Sequence, residues 1–120
     1  DAVRDLLLTG GLVLDADTLA RLAGVPDPDK FVSALPSVYA QALSRVAGQP
    51  LYVRENALWN RLYHRAAVAF RDFDRPVASL AAFPYLKRFE LFNLGRLYEG
   101  LRVGLSPGDI RAMMIGLDHV

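Results

Sequence analysis

Glu90 and Asn93 are the polar residues whose positions ask for a chemical explanation. At about 100° per residue, Leu86, Phe89, Leu97 and Leu101 trace the apolar arc of a helix, and Glu90 and Asn93 fall near its centre. An unpartnered buried carboxylate costs about several kcal/mol, so Glu90 calls for a donor on a facing helix. Arg54, Arg61 and Arg65 are the candidates, and the expected cluster is Glu90, Asn93 and Arg61. The first reading is a structural polar cluster that fixes helix register. A second is a carboxylate of raised pKa in an internal pocket, as in a small all-α enzyme or ligand-binding protein. A third makes the face an interface.

Other chemistry is sparse. The chain has no cysteine, which excludes disulfides, thiolate metal sites and cysteine nucleophiles. Its two histidines, His64 and His119, would need carboxylates from distant segments to hold zinc. His64, among Arg61, Tyr63 and Arg65, reads as an exposed helix residue. Gly10-Gly11 lacks the Lys-Ser/Thr and the preceding strand of a phosphate loop, and neither a dinucleotide fingerprint nor a nucleophile elbow occurs. No catalytic, cofactor-binding or metal-ligating residue is assigned, and no small-molecule substrate is expected. Arginines interleave with aromatics around Trp59–Phe73 and Tyr85–Tyr98, but most of those rings fall at core spacing. With a net charge of +1, nucleic acid is not an expected partner either.

The elements that must position Glu90 and Asn93 are helices. Asp1–Leu8 reads as a helix end stopped by Gly10-Gly11. Asp15 or Asp17 can cap a short helix over Thr18–Ala23, with Gly24 as its left-handed terminator. Asp27-Pro28 is a cap followed by proline at the first helical position, and a further helix covers Ser37–Ala47 to Gly48. Two long helices follow, over about residues 53–73 and 77–103, broken by Arg75-Pro76; Pro84 predicts a kink or restart in the second. Ser106-Pro107-Gly108-Asp109 begins a final helix whose stripe is Ile110, Met113, Met114 and Leu117. Gly100 and Gly104 predict a close helix contact and a C-cap. The sum is an all-α bundle of two long antiparallel helices with several short ones, a single domain over residues 1–120. At 120 residues and 52% hydrophobic, the chain suits one core. The apolar run Val77–Leu86, interrupted by Pro84, is too short to span a bilayer, and no signal peptide is recognised. Because it starts at Asp1, a processed chain or fragment is expected.

Charge is unevenly spread. Residues 1–30 hold six aspartates against three bases, whereas residues 54–75 hold five arginines against three acids. Asp15, Asp17, Asp27 and Asp29 lie close in sequence. They serve as helix caps or as an acidic partner-contact patch that would steer a basic surface.

At the second long helix the run Tyr85-Leu86-Lys87-Arg88-Phe89-Glu90, then Asn93-Leu94, Gly100, Gly104-Leu105-Ser106-Pro107, Ile110 and Met113 resembles one family. It is similar to the C subunit of V-type (A/V-type) rotary ATPases, the counterpart of vacuolar subunit d. Gly10-Gly11, Leu19, Leu22 and Ala34-Leu35 resemble its Gly-Gly loop and short helices, and Glu55, Ala57 and Leu58 the start of its penultimate long helix. Phe89 and Phe92 stand where the family more usually has charged or polar residues. The resemblance implies the last module of a three-module protein, in fragment or shortened form. It implies a non-catalytic central-stalk adaptor, without cofactor, that couples the rotor shaft to the membrane proteolipid ring for proton or sodium transport. Such a subunit is cytoplasmic and peripheral to the membrane, and its partners are other ATPase subunits.

Overall fold

The computed structural model describes residues 13–117. Among them the regular structure is helical, with no strand. The expected helix over Asp1–Leu8 lies outside the described residues. The chain divides into two compact units, residues 1–48 and 49–120.

In the first unit, α1 (Ala16–Ala23), α2 (Pro28–Ala34) and α3 (Ser37–Ser44) are each about two turns long. Helices this short are marginal alone, and their ends are tied by side chains. Asp15 Oδ1 accepts from the Thr18 amide at 2.8 Å. Asp27 Oδ1 accepts from the Asp29 and Lys30 amides at 2.8 and 3.2 Å, with Pro28 at the first helical position. One expectation is corrected here. Gly24 is right-handed (φ −86°), because α1 ends in a tight turn closed by the Gly24 and Val25 amides on Arg21 and Leu22 carbonyls. The left-handed conformation falls instead to Gly48, Gly104 and Gly116.

The second unit is built on α4 (Leu51–Phe70) and α5 (Pro76–Arg102), with α6 (Pro107–Met113) after them. Phe70 meets Phe83, Tyr63 meets Phe89, Trp59 meets Phe92, and Asn56 meets Arg96. Partners on α5 rise in number as those on α4 fall, so the helices form an antiparallel hairpin, as the short connector requires. The residues of α5 that this packing hides are Ala82, Phe89 and Gly100, with Leu86, Asn93 and Arg96 half-buried between them. Their steps of four and three make one seam. Pro84 does not restart the helix; α5 runs through it unbroken, with Pro84 and Leu80 both exposed. The carbonyl of Leu80, which Pro84 cannot pair with, can therefore be hydrated.

The end of α5 is a Schellman turn: Leu105 N–H reaches Gly100 O at 2.9 Å and Gly104 N–H reaches Leu101 O at 3.2 Å, with Gly104 at φ 73°. α6 then opens as expected. Ser106 caps the Asp109 amide while its hydroxyl donates to Asp109 Oδ2 at 2.6 Å. Ile110 is buried against Gly100, where an added Cβ would lie 2.7 Å from the isoleucine side chain. After α6 the chain leaves the helix at Met114 (φ −74°, ψ 148°) and runs as a short strap to Gly116.

Candidate functional site

Polar side chains from both long helices converge on the last turn of α6 and on this strap. Asn56, on α4, donates through Nδ2 to Ala112 O at 3.4 Å and accepts from Arg96 at 2.8 Å. Arg96, on α5, also donates to Met113 O. Asn93 makes a two-point pair with Ile115: Nδ2 donates to the carbonyl and Oδ1 accepts from the amide, both at 2.9 Å. Asn60, 8% exposed, accepts from the Gly116 amide at 2.6 Å. Asn56 and Asn60 stand one turn apart on α4, and Asn93 and Arg96 nearly so on α5. Mid-helix asparagine is a poor helix former, and here each amide is spent on a main-chain group outside its helix.

The apolar surroundings fix this arrangement. Phe89, 2% exposed, lies edge-on to Trp59 (6.1 Å between ring centroids) and Tyr63 (5.9 Å), and Ile115 is 1% exposed. Gly116, at φ 83°, lies so near Tyr63 that a Cβ there would stand 2.6 Å from the ring. Partly buried hydrogen bonds of this kind are costly to break where the partner left behind is shielded from water, as Asn60 and the Ile115 main chain are. The arrangement is a clamp that reads main-chain atoms.

Of the residues singled out in sequence, Asn93 belongs to this clamp; Glu90 and Arg61 do not complete the expected cluster. Glu90 is exposed (61% of its side chain) and bonds Lys87, three residues earlier on its own helix, at 2.8 Å. The expectation of a buried Glu90 paired across to an arginine is therefore corrected. The physical reason is rotation. Exposed Leu97 and Leu101 belong to the flank of α5, and the true seam is centred between Phe89 and Asn93. Glu90 lies about 100° round from Phe89 and reaches water. The arginine in the cluster is Arg96 of α5, and Arg61 is half-exposed on α4. Without a buried Glu90, the internal-pocket reading loses its carboxylate.

The four aspartates of the first unit separate by role. Asp15 and Asp27 are caps, and Asp17 and Asp29 occupy the first turns of α1 and α2; all four are exposed. The Thr18 amide, followed by its hydroxyl and by Arg21, holds the Asp15 carboxyl below its ordinary value. A lowered folded value means that the cap contributes above the unfolded value and is lost as pH falls through the folded one. Among the described residues, no group of His, Asp and Glu could hold a metal ion, and no helix is long and apolar enough to cross a membrane.

Fold and clamp thus define an all-helical structural module, organised around a locked hairpin. The chain matches the family of the ATP synthase (C/AC39) subunit over residues 1–113 and belongs to that family. No curated protein and no solved structure gives a significant match. Asn56, Asn60 and Arg96 were missed in the sequence. The available signal was asparagine at a four-residue spacing inside a helix whose ends lie elsewhere.

Proposed function

We propose that this chain is the last helical module of a non-catalytic central-stalk adaptor in a V-type rotary ATPase, linking the rotor shaft to the membrane ring during ion transport. The observation that carries the reading is the family membership over residues 1–113. A hairpin of two long helices with its open end clamped is also the kind of element that resists bending and slippage. The outward side of α5 supports an assembled setting: Leu80, Leu91, Leu94, Tyr98 and Leu101 are exposed at steps consistent with one face. Contiguous apolar surface of this kind marks interaction sites. In this reading the subunit is peripheral, held to the membrane by protein contacts, and the exposed Asp15, Asp17, Asp27 and Asp29 add a steering charge at the short-helix end.

The test is purification of the tagged full-length protein from cells that assemble the ATPase. Rotor-shaft and proteolipid subunits are expected to copurify. An ATPase that assembles without the protein, or tight ATP binding by the isolated chain in calorimetry, would overturn the proposal.

A further inference from the structure

We infer that α6 and the strap through Gly116 form a detachable latch, which opens as one body while the α4–α5 hairpin stays folded. The boundaries of the body are visible. Residues 101–109 are all exposed, and the Schellman turn at Gly104 reverses the chain between α5 and α6. α6 is closed on itself at its start by the reciprocal Ser106–Asp109 pair. Between that turn and Gly116, the buried side chains are Ile110 and Ile115. Met113 and Met114 are half-buried, Gly116 packs on the Tyr63 ring, and the rest of the hold is the set of hydrogen bonds from Asn56, Asn60, Asn93 and Arg96 to main-chain groups.

The latch is held by two buried isoleucines, two half-buried methionines and a row of polar bonds, whereas the ring-on-ring packing of Trp59, Tyr63, Phe89 and Phe92 lies within the hairpin itself and does not need the latch to form. Segments with few buried apolar contacts open below the global unfolding free energy. Opening is also cooperative within the latch. The Asn93 pair and the Asn60 bond hold adjacent residues, Ile115 and Gly116, so neither amide can be released far without the other. A lock of this kind makes the hairpin's stiffness conditional on whether the strap is seated. The inference stands on the clamp geometry and does not depend on the adaptor reading.

Amide hydrogen exchange on the whole protein tests it. In the unaltered chain, the Ile115 and Gly116 amides are expected to exchange with one common protection factor and a weak denaturant dependence. The helix amides of Ala66 and Phe89 should exchange more slowly and with a steep one. Asn93→Ala is expected to speed exchange at both Ile115 and Gly116 by about tenfold, a typical effect of losing a buried hydrogen-bond partner. Gly116 is the telling amide, since its own acceptor, Asn60, is untouched. Ala66 and Phe89 should not change. Gly116→Ala should release Ile115 by the independent route of a clash with Tyr63. Strap amides that exchange in step with Ala66 and Phe89 in the unaltered chain would overturn the latch. So would an Asn93→Ala variant that frees Ile115 and leaves Gly116 protected.

Discussion

The two ends of the α4–α5 hairpin are built on opposite terms. At the strap end, asparagines and an arginine stand among buried rings, and the most enclosed side chains of the unit, Phe89 and Ile115, are there. At the turn end the residues are more apolar and far less covered: Phe73 is 91% exposed, Val77 and Leu80 are exposed, and Phe70 and Phe83 face each other with rings 6.3 Å apart. The polar bond that closes the turn runs from the Ser79 hydroxyl to Phe70 O at 2.9 Å. Apolar content therefore does not locate the core of this hairpin. Burial follows where a third segment can cover the two helices, and a covering segment without helical pairing must have its main-chain groups satisfied by side chains. Polar residues mark the tight end because the strap is there.

The largest expected effect breaks that comparison at its anchor. Phe89→Ala removes a ring packed against Trp59 and Tyr63 in a fully enclosed site. It is expected to cost about 3–5 kcal/mol in chemical denaturation. A loss below about 1 kcal/mol, the range of a mild surface change, would show that the strap end is not the core. Next in size is Gly116→Ala. The left-handed backbone and the 2.6 Å approach to Tyr63 act together, and the ring has neighbours of its own. A loss of about 1–3 kcal/mol is expected, and an unchanged midpoint would mean that the strap is not seated tightly.

How much of this was legible beforehand follows from what each signal depends on. Helix positions came from local chemistry: caps at Asp27 and Ser106, prolines at 28 and 107, and glycine at 104 act within a few residues. The family followed from the run Tyr85–Pro107, and its match covers residues 1–113. The rotation of α5 was less legible. Leu97 and Leu101 pulled the inferred arc toward Glu90, while the real seam passes through Asn93, Arg96 and Gly100, which no hydrophobicity argument selects. Those residues are in the seam because of Ile110 and the strap, ten or more positions away in sequence. The role of Asn60 was hidden for the same reason, since its partner, Gly116, is 56 residues distant.

Glu90→Ala sharpens the point at small amplitude. A carboxylate buried against an arginine would cost about 3–5 kcal/mol to remove. Glu90 is instead an exposed partner of Lys87, and such pairs contribute about 0–1 kcal/mol. Thermal or denaturant unfolding should therefore place Glu90→Ala within about 1 kcal/mol of the unaltered protein, and raised salt should shrink the difference. A larger, salt-insensitive loss would restore Glu90 to the interior.

The smallest effect is expected for Phe73→Ser, at the opposite end. Phe73 loses little contact on truncation, because almost all of its surface already meets solvent. Substitutions away from packed features usually stay within about 0.5 kcal/mol, and here the sign is open to the polar residue, since serine suits a turn. The comparison with Phe89→Ala removes the same residue type at two places in one hairpin, the middle of α5 and the turn, so the difference reports chiefly position. Equal losses for the two variants, measured by the same denaturant titration, would mean that the turn is covered in solution by something that supplies Phe73 with a partner. A clear difference, with Phe73→Ser near zero, would establish that the core lies where the strap covers the hairpin, and that the turn is held by the Ser79 bond, the Phe70–Phe83 contact and helix pairing without help from Phe73.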